Sequence, residues 1–266
     1  MQKGPVAIAV KAARMAGSVI IRHLPRLGSI PVIEKGRLDF ATEVDRLAEA
    51  EIIRELKRAF PKHAFLAEES GEIGKSKSVW VIDPLDGTHN YIRGIPHYSV
   101  SIALVEGGEA LYGVVYDPVR DELFTAARGA GAFLNDRRIR VADRTGLEGA
   151  LLVTGFPYRQ HRHLDPQLAM TGALLRQCED IRRTGSAALD LAYVAAGRFD
   201  GYWEIGLKPW DMAAGALLVR EAGGLVTDFN GEKTFMDTGN LVASNIKVGA
   251  EIVKTIAPHR SQALWR

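Results

Sequence analysis

The chain has 266 residues, with 34 Lys+Arg against 32 Asp+Glu for a formal net charge of +2, 47% apolar and 25% charged residues. That near-neutral balance implies no broad polyanion-binding surface, and the length allows a sizeable core, as one large domain or two closely joined halves. One cysteine, Cys178, excludes an intramolecular disulfide and points to a reducing compartment.

Met1 to Leu24 is apolar but broken by Lys11, Arg14 and Arg22, which leaves no signal-peptide core. No uncharged run approaches the ~18 residues of a membrane span, so a soluble, cytoplasmic protein with no membrane partner is expected. Val6 to Leu24 reads as an amphipathic helix closed by Pro25. Thr42 to Phe60 is a second, with Val44, Leu47, Ala48, Ile52, Leu56 and Phe60 at helical spacing and Pro61 as its stop. Thr42 suits the N-cap, and Asp45 stands where a capping-box acid reaches back. Ala64–Ala67 and Val79–Ile82 are short strands, each delivering a carboxylate at its end. Ser99–Val105, Leu111–Tyr116 and Glu122–Ala126 form an antiparallel meander turning at Gly107-Gly108 and Asp117-Pro118.

Beyond Ala150–Thr154, a strand, the pattern alternates. A helix runs through about Cys178, another spans Ser186 to Ala196, and Phe199–Trp203 is a strand. Met212 to Ala222 is a helix with Asp211 as its N-cap and Gly223-Gly224 as its stop. Strands Leu225–Asp228 and Leu241–Ser244 precede a closing helix, Val248–Ile256. An antiparallel sheet followed by alternating α and β predicts a layered α/β architecture. Residues 1–145 form an N-terminal α+β half and residues 146–266 a C-terminal α/β half.

Three short motifs carry the chemistry: Glu68 in Ala-Glu-Glu-Ser, Asp83 and Asp86 in Trp-Val-Ile-Asp-Pro-Leu-Asp-Gly-Thr, and Asp211 in Trp-Asp-Met-Ala-Ala-Gly. Each lies where an apolar run ends and a turn or helix begins. Acids gathered in one cleft repel, more so when desolvated, and require a positive charge. Hard oxygen donors without cysteine or a histidine pair point to Mg²⁺. The amides of Gly87 and Thr88 open what reads as a short helix, an arrangement suited to phosphate. The Asp-x-x-Asp spacing excludes an EF-hand loop, and no P-loop or dinucleotide fingerprint is present. Glu69 and Ser70 are placed to hold Glu68, while His63, His97, His161 and His163 lack convergent partners.

With these motifs in order, the chain resembles the inositol monophosphatase family over nearly its whole length. Arg182-Arg-Thr-Gly-Ser-Ala-Ala-Leu-Asp190 and Glu204-Ile-Gly-Leu-Lys-Pro-Trp-Asp211 make it most similar to the bacterial SuhB-like branch. The resemblance implies an αβαβα layered sandwich, the sugar phosphatase fold shared with fructose-1,6-bisphosphatase. It also implies lithium-sensitive, Mg²⁺-dependent hydrolysis of myo-inositol 1-phosphate or a similar polyol phosphate by direct attack of metal-activated water. Two to three Mg²⁺ are implied: one on Glu68, Asp83 and the carbonyl of Leu85, a second on Asp83, Asp86 and Asp211, and a weaker third leaning on Glu68. Thr88 and Asp45, with Glu68 assisting, match the residues that orient and deprotonate the attacking water. Gly87 and Thr88 match the phosphate amides. Asp86, Gly185, Ser186, Ala187, Glu204 and Asp211 fall where the family meets its substrate. Arg183 sits beside them, facing substrate, a dimer interface or a structural ion pair. His89 replaces a usual threonine. A homodimer is implied. Two alternatives stay open: another substrate (fructose 1,6-bisphosphate, histidinol phosphate, NADP or a 3′-phosphoadenosine nucleotide), and a transcription- or RNA-associated binding role.

Overall fold

Two helices at the start of the chain cover one face of the larger sheet. The structure, a computed structural model, describes residues 4–29, 32–36, 39–158, 160–260 and 264. Helix α1 (Pro5–His23) buries Ala9, Ala12, Ala13 and Ala16, whose small side chains let it approach its neighbours closely. The α-helix ends at His23 with Leu24 as its C-cap, just before Pro25 as expected, and Leu24–Ser29 follows as a 3₁₀ segment, which tolerates proline in its first turn. Helix α2 (Glu43–Ala59) opens with the expected capping box, Thr42 Oγ1 accepting from Val44 N at 3.1 Å and Asp45 Oδ2 from Thr42 N at 2.8 Å. Its buried stripe is Val44, Ala48, Ile52 and Leu56. Leu47 departs from expectation at 39% exposed, because acids share the buried side of α2 instead: Asp45, Glu49 and Glu55.

The remaining helices are α3 (Thr88–Ile92), α4 (Leu164–Leu175), α5 (Ala187–Ala195), α6 (Pro209–Glu221), α7 (Phe235–Thr238) and α8 (Ile246–Ile256). Cys178 lies beyond the end of α4, half-buried rather than helical. The reading of Asp211 as a helix N-cap also needs correction. Pro209 begins α6 with its fixed φ, so Asp211 stands third in the helix, and its Oδ2 accepts from Lys208 N at 2.7 Å.

The larger sheet has eight strands, in spatial order Arg137–Arg138, Gly131–Leu134, Glu122–Ala127, Glu109–Asp117, Ser99–Glu106, Ser78–Asp86, Ala64–Ala67 and Gly71–Ile73. Among the described residues its one parallel pair joins Ala64–Ala67 to Ser78–Asp86. The smaller sheet has five, ordered Asp180–Arg182, Leu151–Thr154, Gly201–Glu204, Leu241–Ser244 and Leu225–Thr227, with the first three parallel. A separate hairpin pairs Val32–Gly36 with Asp39–Thr42.

Three apolar cores separate five layers. Ile20, Ile52, Trp80 and Ile102 belong to the core between α1, α2 and the larger sheet. Val115, Phe124, Leu191, Leu218 and Tyr202 belong to the core around α5 and α6, between the two sheets. Leu152, Met170, Trp203 and Ile252 fill the core between the smaller sheet and α4 with α8. The αβαβα sandwich is therefore the observed architecture. Helix α6 fits between its neighbours because Ala213, Ala214, Gly215 and Ala216 in its middle are small. A Cβ on Gly113 of the sheet would lie 2.9 Å from Ala214 O, and one on Gly215 would lie 2.5 Å from Leu191 Cβ of α5. Among the described residues no helix is long and apolar enough to cross a membrane.

Candidate active site

Strand pairing brings the first two acids together. Ala67 lies opposite Ile82 in the parallel pair, so the next residues, Glu68 and Asp83, leave neighbouring strand ends side by side. Glu68 N donates to Ile82 O at 3.1 Å. The register against Ser99–Glu106 then slips between Asp83 and Asp86, where Pro84 has no N–H to offer. Asp83 Oδ1 closes this turn by accepting from Leu85 N at 3.0 Å. Gly87 follows with φ +98°, a conformation glycine adopts without strain, and helix α3 begins at Thr88. Asp211 arrives from α6, whose first turn is tied to the larger sheet by Ser101 Oγ donating to Trp210 O at 3.1 Å.

Carboxylate oxygens of Asp83, Asp86 and Asp211 lie within 4.8 Å of one another. Burial raises the Asp83 carboxyl well above its usual range, and the charges of Glu68, Asp86 and Asp211 push it further. Asp211 is raised by burial and then by Asp86 and Glu68. For Asp86 burial outweighs opposing hydrogen bonds and the nearby Arg183. Those bonds come from the start of α5: Ser186 Oγ donates to Asp86 Oδ2 at 2.5 Å and Ala188 N at 2.8 Å. All donors in the cluster are oxygens, and they repel one another. A hard divalent cation fits that set.

Behind the acids, Thr88 Oγ1 lies 3.0 Å from both Asp45 Oδ1 and Leu85 O. Its one proton serves one of them at a time. Asp45 is fully buried, and burial pushes its carboxyl up to about 6 despite the Thr42 hydrogen bonds.

Every residue that the sequence placed in the site lines one cavity of about 510 Å³, except Asp45, which stands behind Thr88. Glu68, Leu85, Gly87, Arg183, Gly185, Ala187 and Glu204 all face it alongside the three aspartates, Thr88 and Ser186. His89 lines it too, with its ring edge-on to Tyr158 at 5.4 Å, and the Arg183 guanidinium is 6.0 Å from the same Tyr158 ring. None of His63, His97, His161 and His163 lines it. Ser186 is fully buried, and its hydroxyl is spent on orienting Asp86.

Three supporting groups carried little sequence signal. Glu49 accepts from Glu69 N at 2.8 Å and from the Ser70 hydroxyl, clamping the turn that follows Glu68. Its hint is its place four residues after Asp45 on one helix. Asn90 Nδ2 donates to His97 O at 2.8 Å and Thr184 O at 2.9 Å, joining α3 to the Arg183–Gly185 loop. Asp190, buried in α5, accepts from Thr184 Oγ1 at 2.5 Å, and burial raises its carboxyl well above the usual range.

Fold and site together define a layered α/β protein with an acid-lined cleft between its two sheets. The chain belongs to the inositol monophosphatase family, whose sequence profile matches residues 3–263. It is 56% identical over 262 residues to the protein named Nus factor SuhB from Xylella fastidiosa, covering 96% of this chain and 95% of that one. Among solved structures it is similar to the extragenic suppressor protein SuhB from Bartonella henselae, with TM-score 0.92, 45% identity and coverage of 94% and 97%. The inositol monophosphatase from Anabaena (Nostoc) sp. PCC 7120 superimposes with TM-score 0.86 at 40% identity, covering 98% of each chain.

Proposed function

We propose that the chain is a Mg²⁺-dependent phosphatase of small polyol or sugar phosphate monoesters, with myo-inositol 1-phosphate as its foremost substrate. The convergence of Asp83, Asp86 and Asp211, drawn from two distant segments, carries this reading. Glu68, Asp83 and the Leu85 carbonyl would hold one Mg²⁺, and Asp83, Asp86 and Asp211 a second, with a weaker third leaning on Glu68. Bound there, such cations supply neutralisation of the phosphate dianion, activation of water near neutral pH and stabilisation of the leaving alkoxide.

The chain's own residues account for the rest. Thr88 Oγ1 accepts a proton from the attacking water while passing its own to Asp45 Oδ1, 3.0 Å away. A carboxylate titrating at about 6 is matched to that task at neutral pH. The amides of Gly87 and Thr88 receive the phosphate. Ser186 and Ala188 hold one oxygen of Asp86, which fixes where its other oxygen points. Gly185, Ala187, Glu204 and Arg183 line the space left for the alcohol being released. The arrangement needs no covalent enzyme intermediate. A homodimer in the cytoplasm completes the proposal.

The test is a substrate panel in the presence of Mg²⁺. Preferred turnover of inositol 1-phosphate supports the reading, whereas a far higher kcat/KM for a nucleotide 3′-phosphate overturns the substrate. The name Nus factor carried by relatives favours a second reading, a transcription-associated binding role on the same fold. The net charge of +2 does not by itself indicate a nucleic-acid partner, which favours a protein one. Pull-down from cell extract with wild type and Asp86→Asn separates the two roles. Equal capture by both places the partner's site outside the catalytic cleft.

A further inference from the structure

Glu204 ends a strand of the smaller sheet, and two neighbours decide where its carboxylate lies. The first is Gly155. The parallel register pairs Thr154 with Trp203, which sets Gly155 beside Glu204 at the strand ends. A Cβ built on Gly155 would overlap all three atoms of the Glu204 carboxylate. The backbone there has no room to retreat. Fully buried Gln167 donates from Nε2 to Gly155 O at 2.9 Å and to Thr154 Oγ1 at 2.8 Å, and Thr154 Oγ1 donates to Trp203 O at 2.7 Å. The second neighbour is Tyr202, fully buried two residues before Glu204, whose hydroxyl donates to Glu204 Oε2 at 2.5 Å. Residues two apart on a strand share a face, so the ring lies directly beneath the carboxylate it serves.

We propose that Gly155 and Tyr202 are positioning residues that set the Glu204 carboxylate as acceptor for a hydroxyl of the leaving group, giving the cavity its preference for polyol phosphates over esters without hydroxyls. The inference rests on the phosphatase reading above and adds the device behind its substrate class. Glycine is required at 155 for the volume it leaves, and no positive φ is involved. An alanine there meets only the end of a flexible side chain, so Glu204 swings away while the fold is kept. Tyr202→Phe retains the ring and removes one hydrogen bond.

The test is steady-state kinetics with myo-inositol 1-phosphate and p-nitrophenyl phosphate under saturating Mg²⁺, for wild type, Gly155→Ala, Tyr202→Phe, Glu204→Gln and the Gly155→Ala/Glu204→Gln double variant. The kcat/KM ratio of polyol to aryl ester falls about tenfold in Gly155→Ala, mostly through KM for the polyol, and about threefold in Tyr202→Phe. In the Glu204→Gln background Gly155→Ala has no further effect on the ratio, because both act through one carboxylate. Full additivity in the double variant, or an unchanged ratio in both single variants of well-folded protein, overturns the inference and leaves the phosphatase reading standing. A wild type inert toward both esters overturns the phosphatase reading and this inference with it. If Gly155→Ala does not fold, Tyr202→Phe decides the matter by the same ratio.

Discussion

Glu55 on α2 and Asp83 in the cleft are both all but hidden from solvent, at 4% and 2% exposure, yet their protons behave in opposite ways. Glu55 Oε1 accepts from Lys11 Nζ at 2.7 Å and from Arg58 at 2.8 Å, and the Lys11 hydrogen bond leads in holding its carboxyl below the usual range. Asp83 has Glu68, Asp86 and Asp211 for neighbours, and burial with those charges pushes it the other way. Glu49, also on α2, is met by a backbone amide and a hydroxyl. Where an acid serves the framework, the fold provides the donors. In the cleft the acids face one another, a cost a folded chain bears when a cation comes from outside.

The sharpest way to break this contrast is Asp211→Asn. Turnover with Mg²⁺ should fall on the order of 10³-fold, while the amide oxygen can still accept from Lys208 N and the helix start survives. Without divalent cation the same variant should melt higher than wild type, because one of the repelling charges is gone. Its Tm gain on adding Mg²⁺ should shrink. A Mg²⁺-dependent rise equal to wild type would undo the assignment.

Thr88→Ala is expected next, lowering kcat by about 10²-fold with a smaller change in KM, since orientation of the nucleophile matters chiefly in the transition state. A rise in KM alone would contradict the role. The pH profile tests Asp45. A base must be deprotonated, so kcat/KM should climb as pH rises to about 6 and level off above, and Asp45→Asn should remove that limb. The same group makes the opposite contribution to stability. Its folded pKa of about 6 exceeds the ordinary aspartate value of 3.8, so the folded state binds more protons and stability from this site falls as pH rises across that window.

Glu55→Gln gives the smallest effect, a drop of a few degrees in Tm at pH 7, because Lys11 and Arg58 are largely exposed and screened. Here the folded pKa is depressed, so the stabilisation is present above the usual carboxylate pKa and is lost as pH falls through the lowered value. A Tm difference that persisted in strong acid would point to packing instead of charge.

Much of this was legible in chain order. The Thr42–Asp45 capping box, the strand Ala64–Ala67 and the meander from Ser99 follow local rules of capping and alternation, and they stand where those rules put them. Exceptions arose where tertiary context outweighed local pattern. Leu47 fits the helical period but yields the buried side of α2 to Asp45, Glu49 and Glu55, each of which meets hydrogen-bond donors there. Asp211 has N-cap chemistry, yet Pro209 starts the helix two residues earlier.

Sequence alone determined the identity of the metal-suited acids and their delivery at strand and helix ends, because donor chemistry and turn propensity are local properties. Only the tertiary structure decided which oxygen faces which partner. Ser186 takes an oxygen of Asp86 from 100 residues away, and Gly155 makes room for Glu204 across a strand pair. Such pairings are set by sheet register and layer packing, which join segments that share no local pattern.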